Sequence, residues 1–254
     1  MDDTYGSSTA LPGRTVLVAG ATGGIGEGIT RALLRQGARV VVLGRSAERL
    51  ERLAEYAADA GPGELVTEVV DVSDPDSAAI RDGLLRRHGP ADGAVISIGD
   101  WGPGGRTALL DTSEETWQRM IAGNLTSQFR ALRALTPALA THGALIHLTG
   151  FSAELPYPYA ALVGATNAAK KSLLGSLAAE LDGKGPRIHE LVIGPIRTRA
   201  RAAAGNDNPD WYSGEDLGLH AALLIAGTNP FSDAPLQYLL DRGSLISTAP
   251  PAVA

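Results

Sequence analysis

The chain has 254 residues, of which 44% are hydrophobic and 20% are charged, and these values of a globular protein exclude general disorder. Its net charge of −6 leaves no basic surface for nonspecific nucleic-acid binding. The absence of cysteine excludes disulfides and thiolate metal sites and fits the cytoplasm, which is the expected location. The acidic, polar N-terminus is unlike a signal peptide, and no apolar run approaches the roughly 20 residues of a membrane span.

Short apolar runs alternate with segments of helical period along the chain. Strands are predicted near 14–19, 39–43, 65–70, 92–98, 144–149, 187–193 and 236–240, and helices near 24–36, 46–59, 75–88, 114–140, 158–182 and 214–226. This alternation predicts an α/β fold, a Rossmann-type doubly wound parallel sheet of about seven strands with helices on both faces.

The domain organisation predicted from the sequence is a single unit. No linker or repeat divides residues 1–254, and residues 242–254 are expected to form a flexible tail. Two loops, 99–113 and 199–213, follow predicted strands at their carboxyl ends. Ligands bind at that edge of open α/β sheets, so both loops are candidates for the walls of a substrate cleft.

A glycine-rich turn directly follows the first predicted strand and opens an amphipathic helix. Its candidate ligand-binding residues are Gly20, Thr22, Gly24, Ile25 and Gly26. Such a turn lets backbone N–H groups approach a pyrophosphate at a helix N-terminus, where the helix dipole favours an anion. The sequence therefore predicts a dinucleotide site here, and the alternative is a tight turn kept for close helix–strand packing.

The glycine spacing, the stretch 143–150 and the stretch 163–181 resemble the short-chain dehydrogenase/reductase (SDR) family. In that family a Ser ends the fifth strand, a Tyr follows thirteen residues later, and a Lys stands four residues beyond the Tyr. The corresponding positions in this chain are Gly150, Val163 and Asn167. The resemblance thus implies an atypical member that lacks the substrate-orienting hydroxyl, the proton donor and the cation that acidifies that donor.

The resemblance also implies a cofactor, with NADP(H) favoured over NAD(H). NAD-preferring relatives place an Asp at the position of Gly44, and here Arg45 could pair with a 2′-phosphate instead. The alternative for Arg45 is a solvated residue ahead of a helix. Asp71 and Val72 match the family's adenine-binding pair, although Asp71 could equally cap the helix that follows.

The nicotinamide half of the implied cofactor site is less complete. Gly194 and Thr198 are in register with the segment that holds the carboxamide in the family, and helix capping is the other use for Thr198. Asn167 could hydrogen-bond the nicotinamide ribose, but it carries no charge.

Three residues are candidates for the missing catalytic groups. Tyr159 is predicted to begin the helix that carries Val163, with Pro158 at the first helical position, and so to lie on the same face one turn earlier. Ser152 could offer a hydroxyl beside Gly150. Asn124 falls on the family's catalytic helix Asn, and its alternative is a side chain bonded to a mid-helix carbonyl at a kink.

Two further residues near this region are interpreted as structural. Lys171 is predicted to be a surface or interface lysine, and His147 a satisfied core histidine. No pair of histidines has the spacing of metal ligands on one face.

Three functions stay open at this point. The first is an NADP(H)-dependent oxidoreductase for a small molecule that reduces an activated C=C or C=N bond rather than a simple ketone. The second is a non-redox cyclase, isomerase or dehydratase that uses the same cleft. The third is a catalytically silent cofactor sensor or partner protein. Since relatives assemble through the helices near 114–140 and 158–182, a homodimer or homotetramer is expected. Neither nucleic acid nor a membrane is expected as a partner.

Overall fold

The computed structural model describes residues 9–99 and 106–251 of the chain. Most helix and strand boundaries lie within one or two residues of the predicted ones. The strands are, in chain order, β1 (Thr15–Ala19), β2 (Arg39–Gly44), β3 (Glu64–Val69), β4 (Ala91–Ile96), β5 (Leu139–Gly150), β6 (Arg187–Ile193), β7 (Ile196–Arg197), β8 (Tyr212–Ser213) and β9 (Leu236–Leu239). The α-helices are α1 (Gly24–Arg35), α2 (Ala47–Ala57), α3 (Ser77–His88), α4 (Glu114–Ile121), α5 (Ser127–Leu135), α6 (Ala161–Leu181), α7 (Arg199–Ala203) and α8 (Gly214–Ala226).

Seven of these strands form one parallel sheet in the order β3-β2-β1-β4-β5-β6-β9, which confirms the predicted doubly wound fold. At its centre, Leu17 of β1 lies between Val41 of β2 and Ala94 of β4. The strand order reverses between β1 and β4, and this reversal opens a crevice at the carboxyl ends of the strands. The strands β7 and β8 form a separate pair beside that edge.

Each face of the sheet carries its own apolar core, because successive residues of a strand point to opposite faces. Helices α1, α2 and α8 cover one face, where Ile29, Leu50 and Leu217 are fully buried. Helices α3, α5 and α6 cover the other face through residues that include Leu84 and Leu174. Burial on both faces explains why the central strands read as continuous apolar runs.

The region predicted as one helix over 114–140 is interrupted, so that prediction is wrong in detail. Helix α4 ends at Ile121, a π-helical turn covers Ala122–Thr126, and α5 follows. A 3₁₀ turn at Thr136–Ala138 ends the helical region, and β5 begins at Leu139 rather than near residue 144. Pro137 lacks the N–H that a continued helix would need, which accounts for the early stop.

The start of α6 also differs from the prediction. The helix begins at Ala161 instead of residue 158, and Tyr159 has a φ of +66°, in the left-handed region. The N–H of Ala160 donates to the carbonyl of Tyr157 at 3.1 Å and closes a turn around Tyr159. The interpretation of Tyr159 as the first-turn residue of this helix is therefore wrong.

Part of the predicted tail is attached to the sheet. Ser247 forms an antiparallel bridge with Tyr238 of β9, with N–H to carbonyl distances of 2.7 and 3.3 Å. Residues 252–254 lie outside the described residues. Within the described ranges, no helix combines the length and the apolar character that crossing a membrane requires.

Candidate functional site

The glycine-rich turn between β1 and α1 requires glycine for its own packing. Gly20 has a φ of +83°, and a Cβ added there would lie 2.3 Å from the carbonyl oxygen of Ser97. A Cβ on Gly26 would lie 2.1 Å from the carbonyl oxygen of Gly20. Both approaches are too close for any side chain, so the packing alternative explains these two glycines by itself.

The first turn of α1 nevertheless keeps the donors that an anion needs. Its N-cap, Gly23, has no side chain to accept from the first-turn N–H groups, and these groups have no partners within the helix. Thr22 and Ile25 flank this turn, with Ile25 packed against the core. The N-terminus of α1 therefore has the chemistry of a pyrophosphate site.

Thr198, in register with the carboxamide-holding segment of the family, lies against this turn. A Cβ added to Gly24 would lie 3.1 Å from the Cβ of Thr198, so the threonine directly contacts the glycine turn. Its hydroxyl accepts from the N–H of Arg201 at 3.2 Å and caps α7. The capping alternative is thus confirmed, and the same residue stands at the mouth of the crevice.

Ion pairs fasten the segment that follows Thr198. Arg199 of α7 makes two hydrogen bonds to Glu27 of α1, at 2.8 and 2.6 Å, and stacks on the ring of Tyr56. Arg197 makes a second two-point pair with Asp207 at 2.8 Å. The loop 199–213 is therefore tied to α1 beside the glycine turn.

The end of β2, where an adenosine 2′-phosphate is expected, carries two arginines. Arg45 is exposed and makes no ion pair with any described residue. Arg49 donates to the carbonyl of Thr22 at 2.9 Å and so links α2 to the glycine turn. Sequence reasoning did not identify Arg49, and its position four residues after Arg45 on a helix was the available signal.

Asp71 does not cap α3, so that alternative is wrong. Its Oδ1 accepts from the backbone N–H of Ser73 at 2.9 Å and closes a local turn, while Asp76 caps the helix by accepting from Ala79 at 3.0 Å. Val72 is buried beside it. The pair therefore stands at the carboxyl end of β3, where the resemblance places the adenine.

The positions that correspond to the family's catalytic Ser and Lys meet at the end of β5. Asn167 of α6 is buried, and its Nδ2 donates to Ser152 Oγ at 2.9 Å. A Cβ added to Gly150 would lie 2.7 Å from the same Nδ2. The Asn167 amide thus fills the space that a side chain at position 150 would take.

Val163 belongs to a small apolar cluster in front of this amide. It packs with Met120, Ala160 and Leu162, and all four residues are buried. Tyr159 lines a small cavity with Met120 and Leu162, but its side chain is 64% exposed. The structure therefore brings Ser152 and Asn167 together and leaves Tyr159 at the mouth of the cleft.

Asn124 lies in the π-helical turn between α4 and α5, so the predicted kink is real. The residue is buried, and its Nδ2 is 3.8 Å from the sulfur of Met120. The carbonyl of Gly123, in the same turn, accepts from Ser127 Oγ at 2.6 Å. Asn124 faces the same apolar cluster through Met120.

A buried polar chain lies behind this site, between the sheet and helices α5 and α6. His147 Nε2 is 3.0 Å from Gln128 Oε1, and its Nδ1 is 3.3 Å from Thr149 Oγ1. His147 is fully buried, which confirms the prediction of a satisfied core histidine. Burial, with a smaller effect from nearby Lys170, lowers its pKa to about 3 and keeps the ring neutral.

Two buried charged residues next to this chain were not identified from the sequence. Burial lowers the pKa of Lys170 to about 8, against the opposing attraction of Glu190. Burial also raises the pKa of Glu190 to about 6. Lys170 follows Val163 by seven residues, which places both on one helix face, and this spacing was the signal that could have found it.

Lys171, predicted to be a surface or interface lysine, has a partly exposed side chain that makes contacts within the chain. Its ammonium contacts the carboxylate of Glu154 and lies 3.0 Å from the hydroxyl of Tyr238. The same hydroxyl donates to Glu154 at 2.9 Å. This triad joins α6 to β9 and to the turn after β5. No cluster that could hold a metal ion occurs among residues 9–99 and 106–251.

The chain belongs to the short-chain dehydrogenase/reductase family, because residues 20–215 match a family model described as enoyl-(acyl carrier protein) reductase. It is 30% identical to serine 3-dehydrogenase from Agrobacterium fabrum, over 72% of each chain. It is 31% identical to gluconate 5-dehydrogenase from Gluconobacter oxydans, over 80% of this chain and 79% of that protein. A similar solved structure is an NADPH-bound short-chain oxidoreductase from Pseudomonas aeruginosa, described as containing an atypical catalytic center. It has a TM-score of 0.71 and 23% identity, and the match covers 91% of this chain and 96% of that one.

Proposed function

We propose that the protein is an NADP(H)-dependent oxidoreductase that reduces an activated C=C or C=N bond of a small molecule rather than a simple ketone. The observation that carries the proposal is the geometry at the end of β5, where Asn167 fills the space beside Gly150 and Val163 is part of an apolar cluster. Neither side chain can deliver the proton that an alkoxide oxygen needs.

The cofactor part of the proposal rests on three features. They are the open N-terminus of α1, the unpaired Arg45 at the end of β2, and Thr198 against Gly24. An exposed guanidinium suits a phosphate dianion, and Gly44 carries no carboxylate that would repel it. NADPH, when bound, supplies a hydride. The NADPH in the Pseudomonas aeruginosa relative agrees with this assignment.

The choice of bond follows from charge. A hydride added to an electron-poor C=C bond places the negative charge on a remote oxygen, and a hydride added to an iminium removes a positive charge. Both reactions need a polar, pre-arranged site more than they need a phenol held acidic by a cation. The description of the matched family model as an enoyl reductase supports the C=C choice.

Two matched substrates test the proposal. NADPH oxidation should be faster with cyclohex-2-enone than with cyclohexanone, and deuterium from labelled NADPH should appear at the β-carbon of the product. A fluorescence titration should first establish NADPH binding. Failure to bind NADPH, or faster oxidation with the saturated ketone, would contradict the proposal.

A cofactor-binding protein without turnover is the second candidate. The burial of Asn167 and of Val163 favours it, because buried side chains are less accessible to a substrate. NADPH binding without oxidation by any enone or imine of a panel would support this candidate. An isomerisation of the enone without NADPH oxidation would point instead to a non-redox enzyme.

We also propose that the protein is a homodimer or homotetramer, assembled through the outer faces of α5 and α6. Phe129 on α5 is 46% exposed, and Gly175 on α6 has open space around it. Light scattering should give twice or four times the 26.2 kDa mass of one chain. The substitution Phe129→Glu should lower the measured mass. A monomer at micromolar concentration would contradict this assembly.

A further inference from the structure

We infer that Asn167 donates the hydrogen bond to the reacting oxygen of the substrate, and that Ser152 is a positioning residue for it. This inference rests on the proposed reduction of an electron-poor double bond. It names the substrate class more narrowly, as an α,β-unsaturated carbonyl compound, and it names the group that receives the negative charge.

The first support is the place of the amide nitrogen. Asn167 lies on the buried face of α6, one turn after Val163. Its Nδ2 is 2.7 Å from where the Cβ of a residue at 150 would be, and that Cβ would be 3.8 Å from Ser152 Oγ. The nitrogen thus occupies the end of β5, at the carboxyl edge of the sheet, where ligands bind in this architecture.

The second support is the hydrogen-bonding capacity of the amide. A carboxamide nitrogen carries two N–H donors. One of them points to Ser152 Oγ at 2.9 Å, and no other acceptor for Nδ2 occurs among the described residues. The remaining N–H is therefore available to a ligand oxygen.

The third support is the rigidity of Ser152. It lies in a 3₁₀ turn, Phe151–Ala153, that follows β5 directly. Its carbonyl oxygen would be 3.0 Å from a Cβ on Gly164, so the turn presses closely on α6. Close packing fixes the serine hydroxyl, and the hydroxyl in turn fixes the amide. A donor held in place before the reaction stabilises developing charge better than a mobile one.

The chemistry follows from these contacts. Bound NADPH would supply a hydride to the β-carbon of the substrate and become NADP⁺, and the C=C electron pair would move to form an enolate. The enolate oxygen accepts the free N–H of Asn167, and the α-carbon then takes a proton from water to give the saturated carbonyl compound.

A double-mutant cycle tests the position of the Asn167 amide through protein stability, so it needs no activity assay. Gly150→Ala should lower the midpoint of thermal unfolding, because its methyl group meets Nδ2. The same change in an Asn167→Ala background should have little effect, because the obstructing amide is gone. Additive effects of the two substitutions would overturn the inference.

A phenolate tests the donor, because its oxygen resembles that of an enolate. We would measure the absorbance of 4-nitrophenol with the full chain, in the presence and absence of NADP⁺. Asn167→Asp and the uncharged Asn167→Leu should each weaken binding of the phenolate by about 10-fold to 100-fold, as expected for a hydrogen bond to a charged group. The exposed Asn206→Asp is the matched control and should bind like the natural chain.

The positioning role of Ser152 has its own readout. Ser152→Ala should weaken phenolate binding and raise the pKa of the bound phenol, and Ser152→Thr should restore both, because it keeps the hydroxyl. The inference would be overturned if the Asn167 variants bound the phenolate as well as the natural chain does, or if the natural chain did not bind it. Phenolate binding that depends on Asn167, without enone reduction, would leave the inference standing and remove the proposed function.

Discussion

At the scale of single residues, Arg45 is the side chain on which we expect the choice of cofactor to depend. It is exposed at the end of β2. The residue before it, Gly44, carries no charge that would repel a phosphate. The adjacent Arg49 is already engaged with Thr22, so Arg45 is the guanidinium that is free to meet a phosphate. Selectivity for NADP(H) should therefore depend on this one residue.

Arg45→Ala should weaken the binding of NADP(H) by about 1–3 kcal/mol, the usual contribution of a charged hydrogen bond. The affinity for NAD(H) should be unchanged. Calorimetric titration of both cofactors measures the difference. Arg52→Ala is the control, because Arg52 is an exposed arginine on α2, the helix that follows Arg45, but pairs with Glu48. Equal losses for the two cofactors would rule out the role.

Tyr159 is the second residue whose role a single substitution decides. A general acid contributes roughly 10²-fold or more to a rate. Because Tyr159 is 64% exposed and precedes the helix, we expect Tyr159→Phe to retain most of the enone reductase rate. Steady-state rates with unchanged thermal stability provide the measurement. A 10²-fold loss would instead identify the phenol as the proton donor.

At the scale of elements, the close crossing of α1 and α8 holds the carboxyl edge of the sheet together. A Cβ on Gly28 would lie 2.8 Å from backbone atoms of Gly214, and one on Gly218 would lie 2.6 Å from the Cβ of Ala32. Only glycine permits this separation. The crossing fixes the N-terminus of α1 relative to the loop that carries Thr198.

Gly28→Ala should therefore destabilise the fold by about 1–3 kcal/mol through overpacking. Gly123→Ala is the matched control, because Gly123 lies in the helical turn Ala122–Thr126 with no atom within 4 Å of the added methyl group. It should stabilise the protein by up to about 1 kcal/mol, the helix propensity difference between Gly and Ala. Urea unfolding of both variants tests the pair, and similar effects of the two changes would contradict the close crossing.

At the scale of the whole molecule, buried ionisable groups set the response to acid. Burial lowers the pKa of His147 to about 3 and that of His189 to about 4. Both rings stay neutral in the folded protein, while in the unfolded chain they bind protons near pH 6.5. Glu190 acts in the opposite sense, because burial raises its pKa to about 6.

The free energy of unfolding should fall as the pH drops below about 6.5 towards 4, with up to about 1.4 kcal/mol per pH unit for each histidine. Proton uptake by Glu190 in the folded state should offset part of this loss between about pH 6 and 4.5. His147→Gln should reduce the slope, and the exposed His142→Gln should leave it unchanged. Urea unfolding over a pH series gives the slope, and an unchanged slope in His147→Gln would contradict the assignment.

Sequence by itself determined the parallel α/β architecture, the glycine turn after β1 and the family. The architecture and the turn depend on local physics, namely the alternation of strand and helix periods and the turn chemistry of glycine at a helix start, whereas the family follows from the resemblance of the motifs. The replacement residues Gly150, Val163 and Asn167 were also visible in the sequence. The function of those replacements was not.

Only the tertiary structure decided how the site is arranged. It turned Tyr159 out of α6, engaged Lys171 with Glu154, and directed Asn167 towards Ser152. Each of these contacts joins residues from separate elements, or depends on a left-handed backbone angle that spacing along a chain does not reveal. The direction of a side chain is set by what packs around it, and that is known only once the elements have come together.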